Sequence, residues 1–145
     1  MGERRGYGCM NDLTTADVWK LQEEMLKMPQ ASVETFHYFA EGMYARVVPR
    51  TAGTLIVGKV HKREHFYIVA KGRVQVGHDV YEAGTIMVSR PGTKRAVLAL
   101  EDSVCMTVHR TNRKNITKIE RDLVEPDPTA YFDALNQPKR KELKS

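Results

Sequence analysis

Apolar positions change their period along the chain. In "TTADVWKLQEEMLKMP" the residues Val18, Leu21 and Met25 recur at helical spacing, Thr14 and Asp17 form a capping-box-like start, and Pro29 stops the pattern. A short amphipathic helix is predicted, its stripe widened by Trp19 and Met28 and docked on the body of the domain. From Val33 to His109 short β-type runs alternate with turn residues. Strands are predicted at Thr35–Phe39, Met43–Val48, Thr54–Val60, Phe66–Ala70, Arg73–Val76, Thr85–Ser89, Arg95–Leu100 and Val104–Arg110. In "HFYIVAKG" both alternate sets, Tyr67/Val69 and Phe66/Ile68/Ala70, are apolar, so both faces of that strand need cover. A second sheet, the helices or another subunit can provide it, which favours a homo-oligomer. Beyond His109 two short C-terminal helices are predicted. The first carries Ile116, Ile119 and Leu123, and the second starts at Asp127 with Pro128, ends at Pro138 and anchors through Tyr131, Phe132 and Leu135.

The chain of 145 residues, 41% apolar, has enough material for one core without a staple. The pattern divides it into an N-terminal arm and helix (1–32), an all-β barrel (33–111) and a C-terminal helical extension with a basic tail (112–145). Cys9 and Cys105 lie far apart, and Cys105 inside "SVCMTVH" reads as a small buried hydrophobe, which fits a reducing cytoplasm. No run approaches the roughly 20 apolar residues of a membrane helix, and "MGERRGYGCMNDL" lacks the apolar core of a signal peptide. A net charge of +5 raises the question of nucleic acid. The basic residues are dispersed, however, and the densest run, Lys139, Arg140, Lys141 and Lys144, reads as a solvated terminus without a recognition motif.

Candidate chemistry centres on "GKVHKREHFYIVAKG". With "GTLIVGKV" and "FYIVAKG" as neighbouring antiparallel strands joined by "HKRE", His61 and His65 converge at the mouth of the barrel. Two imidazoles offer two nitrogen ligands, and a metal needs at least one more from the protein. Glu64, His37 and His109 are the candidates. His109 leads, because Cys105, Thr107 and His109 share one face by strand parity. The alternative is a set of histidines hydrogen-bonded in a polar pocket or turn. No glycine-rich phosphate loop, Cys-x-x-Cys pair or nucleophile triad accompanies them.

These segments resemble the two motifs of the cupin superfamily over roughly Phe36 to His109. Gly53 leads the first motif, His61 falls on its second histidine, and "FYIVAKG" matches the strand that ends it. Lys59 stands where the first histidine belongs, and His65 takes the place of the glutamate. Gly84, "TIMVS", Pro91, Gly92 and Thr93 match the second motif, with Arg95 in place of its histidine. The resemblance implies a double-stranded β-helix, or jelly-roll, barrel. A lysine or arginine at a ligand position repels a dication, so Lys59 and Arg95, with Arg46 and Tyr67, suit a small anionic ligand. A divalent transition metal on His61, His65 and His109 is the competing expectation.

Within the superfamily the string from "GKVHKREHFYIVAKG" to "VHRT" is similar to small cupin-like proteins of phages and prophages. That resemblance implies a non-catalytic assembly, virion-associated or accessory binding module, with other virion proteins as partners and a host cytoplasm or virion as its location. The alternatives are a metal-dependent cupin enzyme acting on a small molecule and a sensor or inhibitor holding a small anion. A barrel alone does not choose among them.

Overall fold

The computed structural model describes residues 14–30, 33–130 and 132–135. Helix α1 (Thr15–Met25) begins on the expected capping box: Thr14 Oγ1 accepts from the Asp17 N–H at 3.1 Å, and the Asp17 carboxylate accepts from the Thr14 N–H at 3.2 Å. Its buried side is less apolar than its spacing suggested, with Gln22 buried beside Val18. The Gln22 amide donates to Asp127 Oδ2 at 3.0 Å, and the Trp19 ring lies 4.1 Å from the Lys94 ammonium. Helix α1 is therefore fastened by polar contacts as well as by apolar burial.

Nine strands follow: β1 (Phe36–Ala40), β2 (Met43–Arg50), β3 (Leu55–Val57), β4 (His65–Lys71), β5 (Arg73–Val76), β6 (Asp79–Glu82), β7 (Ile86–Ser89), β8 (Ala96–Ala99) and β9 (Ser103–Arg110). All pairings are antiparallel. One sheet has the order β1-β2-β9-β4-β7 and the other β3-β8-β5-β6. Val69, Val74, Val76, Tyr81, Met87, Val97 and Cys105 come from both sheets and pack into one buried cluster. Among the described residues no ladder joins the sheets, so the expected closed barrel is a two-sheet arrangement around a shared core.

Three sequence expectations change. First, β3 and β4 are not neighbours: β3 pairs with β8 in one sheet while β4 pairs with β7 and β9 in the other. The "HKRE" segment is thus a crossing between sheets, not a hairpin turn. Second, β6 was not foreseen, because "DVYE" offers only two apolar residues for an alternation count. Third, the stretch after Asp127 is not helical over residues 127–130 and 132–135. Asp127 Oδ1 accepts from the Thr129 N–H at 3.0 Å and from its hydroxyl at 2.6 Å, and the Ala130 N–H donates to the Asp127 carbonyl at 3.1 Å. These are the bonds of the cap that Asp-Pro signals, but the single turn they start is not continued as a helix over the described residues. Cys9, Tyr131, Pro138 and the basic tail lie outside the described residues. The first C-terminal helix does form, as α2 (Ile116–Leu123), with Asn115 as its N-cap.

The turn from β4 to β5 consists of the single residue Gly72, at φ +83°. There the chain leaves one sheet for the other. A β-bulge between Val69 and Lys71 precedes it against β9. A side chain at position 72 would run into Asp102 and Ser103, so only glycine fits this crossing.

Candidate metal centre

Alternation along β9 places Cys105, Thr107 and His109 on one face. The register sets Tyr44 opposite His109 and Tyr67 opposite Thr107. His65 precedes the Phe66–Val108 pair and so falls beside His109. His61 belongs to no long strand. It forms an isolated bridge with Val124, flanked by Lys62 N–H to Leu123 O and Glu125 N–H to Val60 O, both at 2.8 Å. The Gly92 N–H donates to the His61 carbonyl at 3.0 Å. The exit of α2 and the "PGT" turn therefore hold His61, while Ile119, Leu123 and Val124 pack on buried Tyr44.

The three rings cluster, with His109 stacked on both others at centroid distances of 4.6 Å from His65 and 5.2 Å from His61, and with His61 and His65 tilted at 45° to each other at 4.2 Å. One ligand nitrogen from each lies within 4.8 Å of the other two. Burial, aided by the other two histidines and Arg46, pushes His61 down to about 2. Burial, His65 and Arg46 push His109 down to about 3. His65 is also lowered, chiefly by burial. All three are neutral at pH 7, the form that ligates.

Their tautomers follow in part from their neighbours. His65 Nδ1 lies 3.3 Å from the Arg63 carbonyl. A carbonyl only accepts, so that nitrogen carries the proton and Nε2 keeps its lone pair. His109 Nε2 is 2.8 Å from Thr107 Oγ1, which leaves Nδ1 as its second donor position. Three neutral imidazoles, two of them with outer partners, fit a first-row transition ion such as zinc, whereas magnesium and calcium prefer oxygen ligands. A bound ion would supply a Lewis-acidic position.

His61 and His65 also line a cavity of about 260 Å³ together with Tyr67, Arg95, Arg46 and Lys59. The sequence matches no protein-family model and no curated protein. Among solved structures, the chain is similar to one described as Rhodobacter sphaeroides SigE in complex with the anti-sigma ChrR, at 18% identity and TM-score 0.49, over 55% of this chain and 46% of that one. It is similar to KdgF from Halomonas sp. at 16% identity and TM-score 0.48, over 61% of this chain and 86% of that one. An RmlC-like cupin from Ralstonia eutropha gives 13% identity and TM-score 0.47, over 56% of this chain and 57% of that one. The chain thus spans just under half of the first of these structures, and the chemistry of the site rests on its own residues.

The remaining sequence candidates separate clearly. Lys59 lines the cavity, but its ammonium is paired with Glu120 Oε2 at 2.9 Å, so its charge is already compensated. Arg46 donates to the Ala134 carbonyl at 3.2 Å. Arg95 places its guanidinium carbon 5.4 Å from the centre of the Tyr67 ring. Its Nη2 and the Tyr67 hydroxyl are buried and reach no hydrogen-bond partner of ordinary geometry, although the Cys105 thiol neighbours the phenol. Burial raises the Tyr67 pKa and keeps it protonated. Glu64 is exposed in the crossing between the sheets and lies outside the cluster. His37 bonds Tyr44 Oη at 2.7 Å, with Tyr44 stacked between it and His109.

Sequence reading missed Tyr44, Arg50 and Glu120. Tyr44 and Arg50 share the parity of Arg46, a signal visible in "MYARVVPR", and Arg50 also lines the cavity. Glu120 left no local signal, since its role depends on α2 meeting Lys59 across 61 positions.

Proposed function

We propose that this chain binds a divalent transition metal through His61, His65 and His109 and holds a small anionic molecule in the adjoining cavity. The convergence of three neutral imidazoles, with ligand atoms within 4.8 Å of one another, carries the reading. The histidine spacing of the sequence supports it, as does the resemblance to cupin motifs that brought these residues forward. Arg95 and Tyr67 supply the anion contacts, because each has a buried polar atom for which the protein offers no good partner. Lys59 contributes less than its place in the sequence suggested, since Glu120 neutralises it. Association with phage particles stays an expectation of the sequence resemblance.

Metal analysis of protein purified without chelators tests the first half. One ion per chain is expected, with more than about a 100-fold loss of affinity on replacing any one histidine by alanine, beyond the 10–100-fold typical of outer partners. A wild-type protein that is metal-free and takes up no zinc, nickel, iron(II) or manganese refutes it. A thermal-shift screen of small carboxylates tests the second half. Stabilisation that Arg95→Ala abolishes supports it, and the absence of any stabilising anion refutes it.

A further inference from the structure

On the face of the five-stranded sheet turned away from the histidines, two cross-strand rows are apolar from edge to edge, and the row beside them, Ala40, Met43 and Arg110, ends in a charge. Strand register shows this directly. One row crosses all five strands as Tyr38, Ala45, Val108, Phe66 and Val88. The next crosses them as Phe36, Val47, Met106, Ile68 and Ile86. Neither row contains a charged side chain. Of the ten large apolar residues that are exposed among the described residues, six belong to this face: Phe36, Tyr38, Met43, Phe66, Ile86 and Val88, at 38–59% exposure. Neither helix covers them, since α1 is tied to Asp127 and Lys94 and α2 packs on Tyr44 across the opposite face.

We infer that this face docks on the same face of a second copy of the chain, forming a two-fold dimer of stacked sheets. Area is the first support. Aromatic side chains of roughly 200 Å², about half exposed, together with the aliphatic ones leave some 600 Å² from the six residues alone. The half-buried residues between them bring the patch near the roughly 800 Å² per partner of a standard interface and beyond the patches usual on monomers. Charge is the second. The chain carries +5, which opposes any self-association at long range, but these two rows bring no like charges into direct contact. A sheet face that is its own complement meets the requirement of an isologous contact.

Sedimentation of the full chain over about 1 to 100 µM tests this, with no dependence on the metal reading. The expected mass is twice the 16.5 kDa of the chain. Phe66→Ala and Ile86→Ala should each weaken the dimer about tenfold. Val80→Ala, an exposed position in the other sheet, should leave it unchanged. Near-UV circular dichroism verifies that the variants stay folded. A wild type that remains monomeric near 100 µM, or a dimer that the Phe66 and Ile86 variants weaken no more than Val80→Ala does, overturns the inference.

Discussion

Gly72→Ala should destabilise the protein by about 2 to 5 kcal/mol, because two penalties coincide there. The residue sits at φ +83°, where an L side chain costs about 1–2 kcal/mol. Its new Cβ would also run into Ser103 Oγ and stand 2.5 Å from the Asp102 carbonyl oxygen and 2.8 Å from Ser103 Cα. Two of these three atoms are backbone, at the entry to β9 and its first residue, so they yield only if the strand moves, at a further cost of about 1–3 kcal/mol. Ser103 Oγ is itself engaged, accepting from the Arg73 N–H at 3.1 Å and bonding the Glu101 carbonyl at 2.7 Å. Gly53 is the internal control, with φ +87° and nothing within 4 Å of its Cβ position. Alanine there meets backbone strain alone, about 1–2 kcal/mol. Urea unfolding of both variants separates the steric share, and a fall in Tm of roughly 5–15 °C should accompany Gly72→Ala. Adding Ser103→Ala to Gly72→Ala should recover little, because the backbone oxygen remains. Equal losses in the two glycine variants would refute the steric reasoning.

Three further outcomes follow from the buried polar groups. Tyr67→Phe removes a hydroxyl that lacks a good partner, so the unliganded protein should keep or gain up to about 1–2 kcal/mol while losing stabilisation by anions; a loss above about 1 kcal/mol contradicts this. Lys59→Ala strands the Glu120 carboxylate, whose other oxygen already lacks a partner, at a cost near 1–2 kcal/mol after allowance for its partial exposure. A double-mutant cycle with Glu120→Gln that shows no coupling rules that out. The histidines set an acid sensitivity in chelator-treated protein. Their folded pKa values lie below 6.5, so stability is intact above about pH 6.5 and is lost as the pH falls from there toward about 3 for His109 and about 2 for His61. Each contributes about 1.4 kcal/mol per pH unit within that window. Urea unfolding between about pH 7.5 and 5 should show a shallower slope for His109→Gln than for wild type, and identical slopes contradict the assignment.

Much of this protein was legible in local sequence. The capping box at Thr14, the turn glycines and the shared parity of Cys105, Thr107 and His109 follow from rules spanning a few residues, because backbone geometry fixes which side chains share a face. The same parity pointed to His109 as the third partner of His61 and His65. Pairing was decided elsewhere. Both His61 and His65 enter the site, yet not as ends of one hairpin: β4 meets β9 some forty positions away, and His61 is clasped by the exit of α2. Such contacts depend on which distant surfaces bury each other best, and residue spacing does not encode that. Only the folded chain could show that Glu120 neutralises Lys59, that Gln22 and Lys94 fasten α1, and that two uncharged cross-strand rows align on one face. Local chemistry selected the residues, and long-range packing gave them their neighbours.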